Sequence, residues 1–252
     1  MEKREKLYEG KAKILYATDD PSLLIQHFKD DATAFNALKR GTIEGKGVLN
    51  NRISDRLFRH LEEKGVPTHY VGTLSDREMV VKRLQMIPVE VVVRNVVAGS
   101  LAKRLGKPEG EELPCPKVEF YYKNDALGDP EVNVERILAS GWANGREMEE
   151  IRHRALEVNA ILQEFFDERG ILLVDFKVEF GRYRTRGGGE GTAERLPPFY
   201  DRVELLLGDE ITPDTCRLWD SETRRVLDKD RFRRDLGGVE EAYQEVCQRV
   251  LG

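Results

Sequence analysis

The sequence is poor in the features that mark secreted, membrane-spanning and metal-clustering proteins. Its cysteines are only three in number, lie far apart and include no CxxC pair, so we expect a reducing compartment and no disulfide framework. No apolar run approaches the length of a membrane span, and the charged start MEKREK contains no signal-peptide core. The four histidines show no metal-ligand spacing. These absences predict a cytoplasmic protein without a membrane partner.

Charge of one sign is also not in large excess. Lys and Arg number 41 against 46 for Asp and Glu, which leaves a formal net charge of -5. A mildly acidic protein is a poor candidate for nucleic-acid binding, although local basic clusters can still bind small anions. The 252 residues suffice for one large domain or two modest ones.

The most informative stretch is ILLVDFKVEFGR, residues 171–182. In a strand, its alternation sends Asp175, Lys177 and Glu179 to one face and apolar side chains to the other. A strand with one face in water would also carry alternating charges. The fully apolar start favours a central strand instead, and buried charges there need a metal ion or an anionic substrate to face them.

A second apolar segment, residues 205–210, ends in Gly208, Asp209 and Glu210. If it returns antiparallel to the first stretch, Asp209 comes close to Glu179. Two carboxylates beside a phosphate would form a magnesium site, because Mg²⁺ is usually held by one or two carboxylates together with substrate oxygens. Between the two segments, the Gly-rich residues 183–203 are expected to form a hairpin extension that loops outward.

Lysines near the start of the chain indicate possible phosphate contacts. Lys11 and Lys13 point the same way in a hairpin around Gly10, where a glycine lets the backbone approach a nucleotide closely. The alternative is a solvated lysine face. Lys82 lies within the apolar run EMVVKRL, and it either contacts phosphate or extends its ammonium group to water.

One arginine occurs inside the most β-branched stretch of the chain, VEVVVRNVV. A buried Arg94 requires an anion, which is either a protein carboxylate or a ligand phosphate. Ser100 opens the helix that follows, and a helix N-terminus beside an arginine is a competent phosphate site. A helix cap with a structural arginine explains the same residues.

Three further stretches are expected to be irregular. Residues 85–88 interrupt the strand pattern, because Pro88 lacks an N–H group and restricts the residue before it. This break predicts a hinge between a β-rich nucleotide-binding lobe (1–86) and an α+β lobe with the metal and substrate site (87–252). Residues 107–118 read as a Pro-rich loop, and residues 209–220 as a polar loop outside the core.

Taken together, segments along nearly the whole chain resemble the SAICAR synthetase family of purine biosynthesis. They are LYEGKAK (7–13), GKGVLNN (45–51), VEVVVRNVVAGSL (89–101), KNDALGDPEVN (123–133), LLVDFKVEFG (172–181), GDEITPDTCRLWD (208–220) and DKDRFR (228–233). The resemblance implies a two-lobed α+β fold similar to ATP-grasp enzymes, with a kinase-like N-terminal lobe. It also allows a homodimer.

The reaction that the resemblance implies is an ATP-dependent ligation. L-Aspartate and the carboxylated aminoimidazole ribotide (CAIR) condense to the succinocarboxamide SAICAR, with ADP and phosphate released, through an acyl phosphate. The cofactors would be ATP and Mg²⁺. No nucleophilic Ser, Cys or His is required.

The resemblance also implies roles for residues at matching positions. The ATP-binding positions match Lys11, Lys13, Lys82 and the backbone around Met86. The magnesium ligands match Glu179 and Asp209, and the positions that hold the ribotide phosphate match Arg94, Ser100 and Arg217. Positions around the imidazole and the reacting carboxylate match Asp129, Asp175, Lys177 and Asp214. Lys123, Arg231 and Arg233 are candidates for the aspartate site. Family members commonly have a short hairpin where this chain has residues 183–203.

Two other functions fit parts of the sequence. A small-molecule kinase would use Lys82 and Asp175, but the sequence contains neither an HRD-like loop nor GxGxxG. A non-catalytic nucleotide or ribotide sensor would bind ligands without turnover, although retention of both metal-matching carboxylates argues against a decayed site.

Overall fold

The computed structural model describes residues 1–34, 38–185 and 202–252. Up to Lys82 the elements are β1 (Lys3–Glu9), β2 (Lys13–Thr18), β3 (Leu23–Phe28), β4 (Asp31–Ala34), β5 (Lys39–Thr42), α1 (Lys46–Glu63), β6 (Tyr70–Ser75) and β7 (Glu78–Lys82). They are followed by β8 (Gln85–Val96), α2 (Gly99–Leu105), β9 (Glu112–Tyr122), β10 (Glu131–Val132), α3 (Val134–Ala139), α4 (Gly145–Asp167), β11 (Ile171–Thr185), β12 (Arg202–Gly208), β13 (Cys216–Asp220), α5 (Asp230–Arg233) and α6 (Val239–Leu251).

Two antiparallel sheets carry the architecture. The first has the strand order β1-β2-β3-β7-β6, and the second has the order β10-β9-β8-β11-β12, with β13 also paired to β11. A small ribbon of β4 and β5 stands apart. The α+β class expected from the sequence is therefore confirmed. The change from one sheet to the other falls between Lys82 and Gln85, near the expected boundary, and a division into two lobes stays a prediction.

The predicted central strand is β11. It pairs with β8 along one edge and with β12 and β13 along the other. The apolar side chains of its alternating pattern are at most 1% exposed (Val174, Phe176, Val178 and Phe180). Neighbouring strands cover both edges of β11, and its apolar face is buried. The opposite, charged face of β11 lies towards the elements that form the site.

The long helices cover the sheets with apolar stripes. Helix α1 buries Ile53, Leu57 and Leu61, and α4 begins with a capping box in which Asn144 and Glu147 exchange hydrogen bonds. Buried side chains of both sheets belong to one hydrophobic cluster with these helices. Among the described residues, no helix is long and apolar enough to span a membrane.

The break expected at residues 85–88 is wrong as a description of the backbone, since β8 runs through it from Gln85. The register of β8 against β11 shifts between the Glu179–Glu90 and Gly181–Met86 pairs. Pro88 lies within this irregularity, where a missing amide proton costs no regular ladder bond.

The loop expected at residues 107–118 is also wrong over its second half, which forms β9. Pro114 and Pro116 are tolerated because β10 pairs only with Tyr121 and Phe120, so the outer edge of this part of β9 has no strand neighbour in the described chain. In addition, the β8 register shifts between Arg94 and Val96, opposite these prolines.

The polar loop expected outside the core at residues 209–220 is instead mostly buried and ends in β13. Ile211 and Thr212 are at most 1% exposed. Burial is possible because hydroxyl groups satisfy the backbone locally: Thr212 N donates to Thr215 Oγ1 (3.1 Å), and Asp214 N donates to Thr212 Oγ1 (3.1 Å). Of the predicted Gly-rich hairpin, residues 186–201 lie outside the described residues.

Candidate active site

The charged face of β11 meets the end of β12 in a cluster of lysines and carboxylates. Glu179 pairs with Gly208 in the antiparallel ladder, which places Asp209 beside it and confirms the expected proximity. Lys177 Nζ lies 2.7 Å from Glu179 Oε1 and 2.7 Å from Asp209 Oδ2. One ammonium group therefore bridges the two carboxylates that were predicted to hold a metal ion.

Other elements add charges to this point. Lys123, just after β9, lies 2.6 Å from Glu179 Oε2, and Lys13 at the start of β2 donates to Asp209 Oδ1. Glu90 Oε1 on β8 lies 3.4 Å from Lys177 Nζ. We call the six residues Lys13, Glu90, Lys123, Lys177, Glu179 and Asp209 the lysine cluster. Its three cations balance its three anions.

These neighbours determine the protonation states in the lysine cluster. Burial opposes the charge of Lys177, but Asp209 and Glu179 outweigh it and raise its pKa well above the usual value. Burial likewise opposes ionisation of Asp209, but Lys13 and Lys177 hold its pKa well below the usual range. Lys177 and Asp209 are therefore a charged ammonium and carboxylate pair near neutral pH. Asp209 also has a φ of 64°, a left-handed backbone conformation that is uncommon for residues other than glycine.

A cavity of about 300 Å³ opens between the two sheets beside the lysine cluster. We call it the first cavity. Its apolar wall consists of Leu15, Leu24, Val81, Leu84, Met86 and Ile87. Lys13, Lys82, Lys123, Glu179 and Asp209 also line it. Such a combination of an apolar wall and convergent lysines is suited to a flat aromatic base that carries phosphates.

The predicted ATP-binding residues are not equally placed around this cavity. Lys13, Lys82 and Met86 line it, and Lys82 Nζ donates to the Thr68 carbonyl at 3.1 Å. Lys11 lies in the turn between β1 and β2, where its Nζ is 2.6 Å from Asp125 Oδ1 in an exposed ion pair. The structure therefore places three of the four predicted ATP-binding residues at the first cavity. Lys11 instead contacts Asp125, in the loop between β9 and β10 of the second sheet.

A second group of charges, built on arginines, lies further along β11. Arg94 Nη1 lies 2.9 Å from Asp175 Oδ2, and Arg217 Nη1 lies 2.7 Å from the same oxygen. Arg94 Nε donates to Glu119 (2.6 Å), and Arg217 Nε donates to Asp230 (2.8 Å). We call these five residues the arginine cluster. Its protein carboxylates provide the anion that a buried arginine requires, which was one of the two alternatives.

A cavity of about 280 Å³, the second cavity, opens onto the arginine cluster. Its lining includes five predicted substrate residues (Arg94, Ser100, Asp175, Asp214 and Arg217). The Ser100 hydroxyl accepts a hydrogen bond from Arg94 Nη2 at 3.0 Å. Lys177 also lines the second cavity, while its ammonium group contacts carboxylates that line the first. Lys177 therefore connects the two cavities.

Asp214 is held by a set of buried donors that sequence reasoning missed. Lys46 Nζ lies 2.6 Å from its Oδ2, Asn50 Nδ2 lies 2.9 Å away, and the Tyr243 hydroxyl donates to its Oδ1 (2.9 Å). Burial opposes its ionisation, but Lys229 and Lys46 hold its pKa well below the usual range. The only signal for Lys46 was its place in the segment GKGVLNN, and Tyr243 was expected on the apolar face of the last helix.

The remaining candidates are Asp129, Arg231 and Arg233, and only Arg233 lines one of the two cavities. Asp129 has a φ of 49°, and its Oδ1 accepts the Asn124 amide at 2.9 Å, so it fixes its own loop. Arg231 Nε donates to the Gly237 carbonyl at 2.7 Å, and its Nη1 donates to another main-chain carbonyl. Arg233, by contrast, lines the second cavity and donates to Asp230 at 2.6 Å.

The carboxylates of the lysine cluster fit a magnesium ion only together with a ligand. Within the described ranges, no group of three or more His, Cys, Asp or Glu side chains could hold a metal ion. Glu179 and Asp209 supply two carboxylates, the usual protein share of a Mg²⁺ site that keeps substrate oxygens. Because three lysines already face these carboxylates, a divalent cation is best accommodated together with the negative charge of a polyphosphate.

Comparison with known proteins gives a consistent result. The family model for SAICAR synthetase matches residues 6–250. The phosphoribosylaminoimidazole-succinocarboxamide synthase of Desulfitobacterium hafniense (strain Y51) is 56% identical over 250 residues, covering 99% of this chain and 98% of that protein.

Solved structures agree with these sequence matches. The crystal structure of the synthase from Ehrlichia chaffeensis superposes with a TM-score of 0.89 at 47% identity, covering 98% of each chain. A SAICAR synthetase in complex with ADP superposes with a TM-score of 0.87 at 48% identity, covering 98% of this chain and 97% of that one. The matches extend over nearly the full chain. The chain belongs to the SAICAR synthetase family.

Proposed function

We propose that this chain catalyses the reaction of its family in the two connected cavities. ATP, L-aspartate and CAIR are converted to SAICAR, ADP and phosphate, which makes the chain an ATP-dependent carbon–nitrogen ligase of purine biosynthesis. Its family membership and the ADP complex of a relative support this function. The observation that carries the proposal is the position of Lys177, which lines one cavity and contacts the carboxylates of the other.

The first cavity would hold the nucleotide. The apolar wall near Met86 suits the base, and Lys13, Lys82 and Lys123 suit the phosphates because their ammonium groups are movable point charges. Lys11 would reach a phosphate only after it leaves Asp125, and that exposed pair is inexpensive to break.

Glu179 and Asp209 would hold Mg²⁺ together with phosphate oxygens of the nucleotide. When bound, Mg²⁺ would offset negative charge on the transferring phosphoryl group. Glu179 and Asp209 would exchange their lysine contacts for the metal, and the released ammonium groups would be available to the phosphates. Lys13 and Lys177 keep Asp209 ionised before the nucleotide arrives.

The second cavity would hold CAIR. Ser100, Arg94 and Arg217 are grouped where a phosphate would find positive charge, although Arg94 already donates to protein acceptors. Arg94 would therefore contribute charge and orientation, while Arg217 and Arg233 retain exposure to the cavity. Asp175 orients both arginines, and Asp214 orients Lys46 and Tyr243 below the cavity floor.

The chemistry then proceeds through an acyl phosphate. A carboxylate oxygen of CAIR attacks the γ-phosphorus of ATP, and the bond to ADP breaks. The amine of aspartate next attacks the activated carbonyl carbon, loses a proton and releases phosphate. Lys177, placed between the two cavities, would offset the charge that develops on the transferring group, so that positioning and electrostatics supply most of the acceleration.

Release of ADP, measured by a coupled assay with each component omitted in turn, tests this function. Dependence on ATP, Mg²⁺, aspartate and CAIR together, with SAICAR formed, is the expected result. Release that continues without aspartate would instead support a small-molecule kinase. A folded protein that binds ATP and CAIR but releases no ADP would support the sensor.

Four finer features belong to the same proposal. They are the likeness to ATP-grasp enzymes, a kinase-like N-terminal lobe, a homodimer and a cytoplasmic location, all expected from the sequence. The proposed role of Asp129 near the substrates rests on the family resemblance of its segment, since its carboxylate accepts the Asn124 amide within its own loop.

A further inference from the structure

A glutamine occupies a position in the first sheet that packing alone would give to an apolar residue. Gln26 lies in the middle of β3 and is 1% exposed, among buried neighbours such as Ile25 and Phe28. Its Nε2 lies 3.4 Å from the main-chain carbonyl oxygen of Asp209, which belongs to the other side of the first cavity. A buried amide is costly unless it is hydrogen-bonded, so this contact accounts for a polar residue here.

The carbonyl that Gln26 contacts belongs to a residue in an uncommon backbone conformation. Asp209 has a φ of 64°, a left-handed conformation that costs conformational free energy in residues other than glycine. Its carboxylate nevertheless faces Lys13 and Lys177. Rotation of the following peptide would change the direction of the chain at Asp209. A hydrogen bond from Gln26 to the Asp209 carbonyl oxygen therefore favours the backbone conformation in which the Asp209 carboxylate contacts Lys13 and Lys177.

A main-chain hydrogen bond joins the same two parts of the molecule close to Asp209. The amide of His69, just before β6 of the first sheet, donates to the Leu207 carbonyl of β12 at 2.8 Å. The end of β12 is therefore held against the first sheet two residues before Asp209, and Gln26 adds a side-chain contact at Asp209 itself.

We propose that Gln26 is a positioning residue for Asp209. It reaches from the first sheet to the Asp209 carbonyl oxygen and fixes the backbone that aims the Asp209 carboxylate at the metal position. Lys13, also from the first sheet, contacts that carboxylate directly. Assembly of the metal position therefore depends on contacts across the first cavity. This inference rests on the proposed role of Asp209 as a magnesium ligand.

Binding of Mn²⁺ to the ADP complex, followed by electron paramagnetic resonance, tests the inference without turnover. Gln26→Met removes the donor and keeps the length of an unbranched side chain. We expect about a tenfold weaker affinity for Mn²⁺, the size expected for loss of one hydrogen bond to a positioned group. ADP affinity in the absence of metal ions and the melting temperature should stay close to the parent values.

A second variant keeps the inference testable if Gln26→Met does not fold. Gln26→Leu removes the same donor with a differently shaped apolar side chain, and we expect the same loss of Mn²⁺ affinity.

Two results would overturn the inference. Unchanged Mn²⁺ affinity in folded Gln26→Met would show that the carbonyl contact does not position Asp209. Equal losses of ADP affinity with and without metal ions would show that Gln26 binds the nucleotide directly. If the parent ADP complex itself binds no Mn²⁺, the proposed metal role of Asp209 fails, which is distinguishable from failure of Gln26 as a positioning residue.

Discussion

The lysine cluster and the arginine cluster occupy the same face of β11, yet they hold their charges in different ways. In the lysine cluster the side chains of Lys123 and Lys177 are 43% and 23% exposed. In the arginine cluster the side chain of Arg94 is 4% exposed, and it donates to four different groups. One cluster has cations with access to solvent, and the other has a cation enclosed by its partners.

This difference suits two tasks in one reaction. A lysine is a compact charge on a flexible stem, so its contacts can be exchanged for a metal ion and phosphates. An arginine presents donors in a fixed fork, so it holds a carboxylate in a defined orientation. The account therefore assigns exchange of ligands to the lysine cluster and fixed geometry to the arginine cluster. Substitutions in the lysine cluster should therefore mainly lower activity, and substitutions in the arginine cluster should mainly lower stability.

The largest effect is expected at the carboxylates of the lysine cluster. Glu179→Gln or Asp209→Asn removes a metal ligand and leaves ammonium groups without a counter-charge, and we expect kcat/KM to fall by about 10³-fold. Coupled ADP release measures this loss, and circular dichroism verifies the fold. Glu164→Gln, which changes an exposed carboxylate on α4, is the control and should keep full activity. Near-parent turnover of either active-site variant would refute the metal assignment.

The next largest effect is expected when a carboxylate of the arginine cluster is removed, and it should appear as a lower free energy of unfolding. Asp175→Asn leaves the enclosed Arg94 without one of its anions, and breaking a buried pair costs about 3 kcal/mol or more in free energy of unfolding. Urea denaturation gives this value. Glu179→Gln should cost less, because its lysines can turn towards solvent. Equal losses in free energy of unfolding for Asp175→Asn and Glu179→Gln would contradict the proposed difference between the two clusters.

Stability should also depend on pH through a carboxyl group behind the arginine cluster. Burial and the neighbouring Asp230 raise the pKa of Asp228 to about 7. Since the folded state then binds a proton more tightly than the unfolded chain, this stabilisation is full at low pH and is lost as the pH rises through about 7. We expect the parent to lose on the order of 2 kcal/mol relative to Asp228→Asn between pH 5 and pH 8. A pH-independent difference between the two would contradict this.

The smallest effect is expected at the edge of the lysine cluster. Lys11 forms an exposed ion pair with Asp125, and such pairs contribute about 0 to 1 kcal/mol. Lys11→Ala should therefore leave the melting temperature unchanged and change the KM for ATP by no more than about fivefold. Lys13→Ala should change it far more, because Lys13 lies against Asp209. Similar KM values for the two variants would place Lys11 closer to the phosphates than we propose.

The local pattern of β11 could be interpreted from the sequence because alternation is a property of neighbouring residues. It predicted the central strand and the shared face of Asp175, Lys177 and Glu179, and the antiparallel return placed Asp209 correctly. The partners Glu119, Asp230 and Lys46 were missed because they come from elements distant in sequence. Prolines in β9 and hydroxyl groups in residues 209–220 suggested loops, although an open sheet edge and local hydrogen bonds allowed a strand and a buried segment.

The central claim is that the lysine cluster exchanges its internal contacts for a metal ion and a nucleotide. Calorimetric titration of ADP into the parent and into Glu179→Gln, each with and without Mg²⁺, tests it most directly. We predict that Mg²⁺ tightens ADP binding at least tenfold in the parent and has no such effect in the variant. If Mg²⁺ tightens ADP binding equally in both proteins, Glu179 is not a metal ligand and the claim is contradicted.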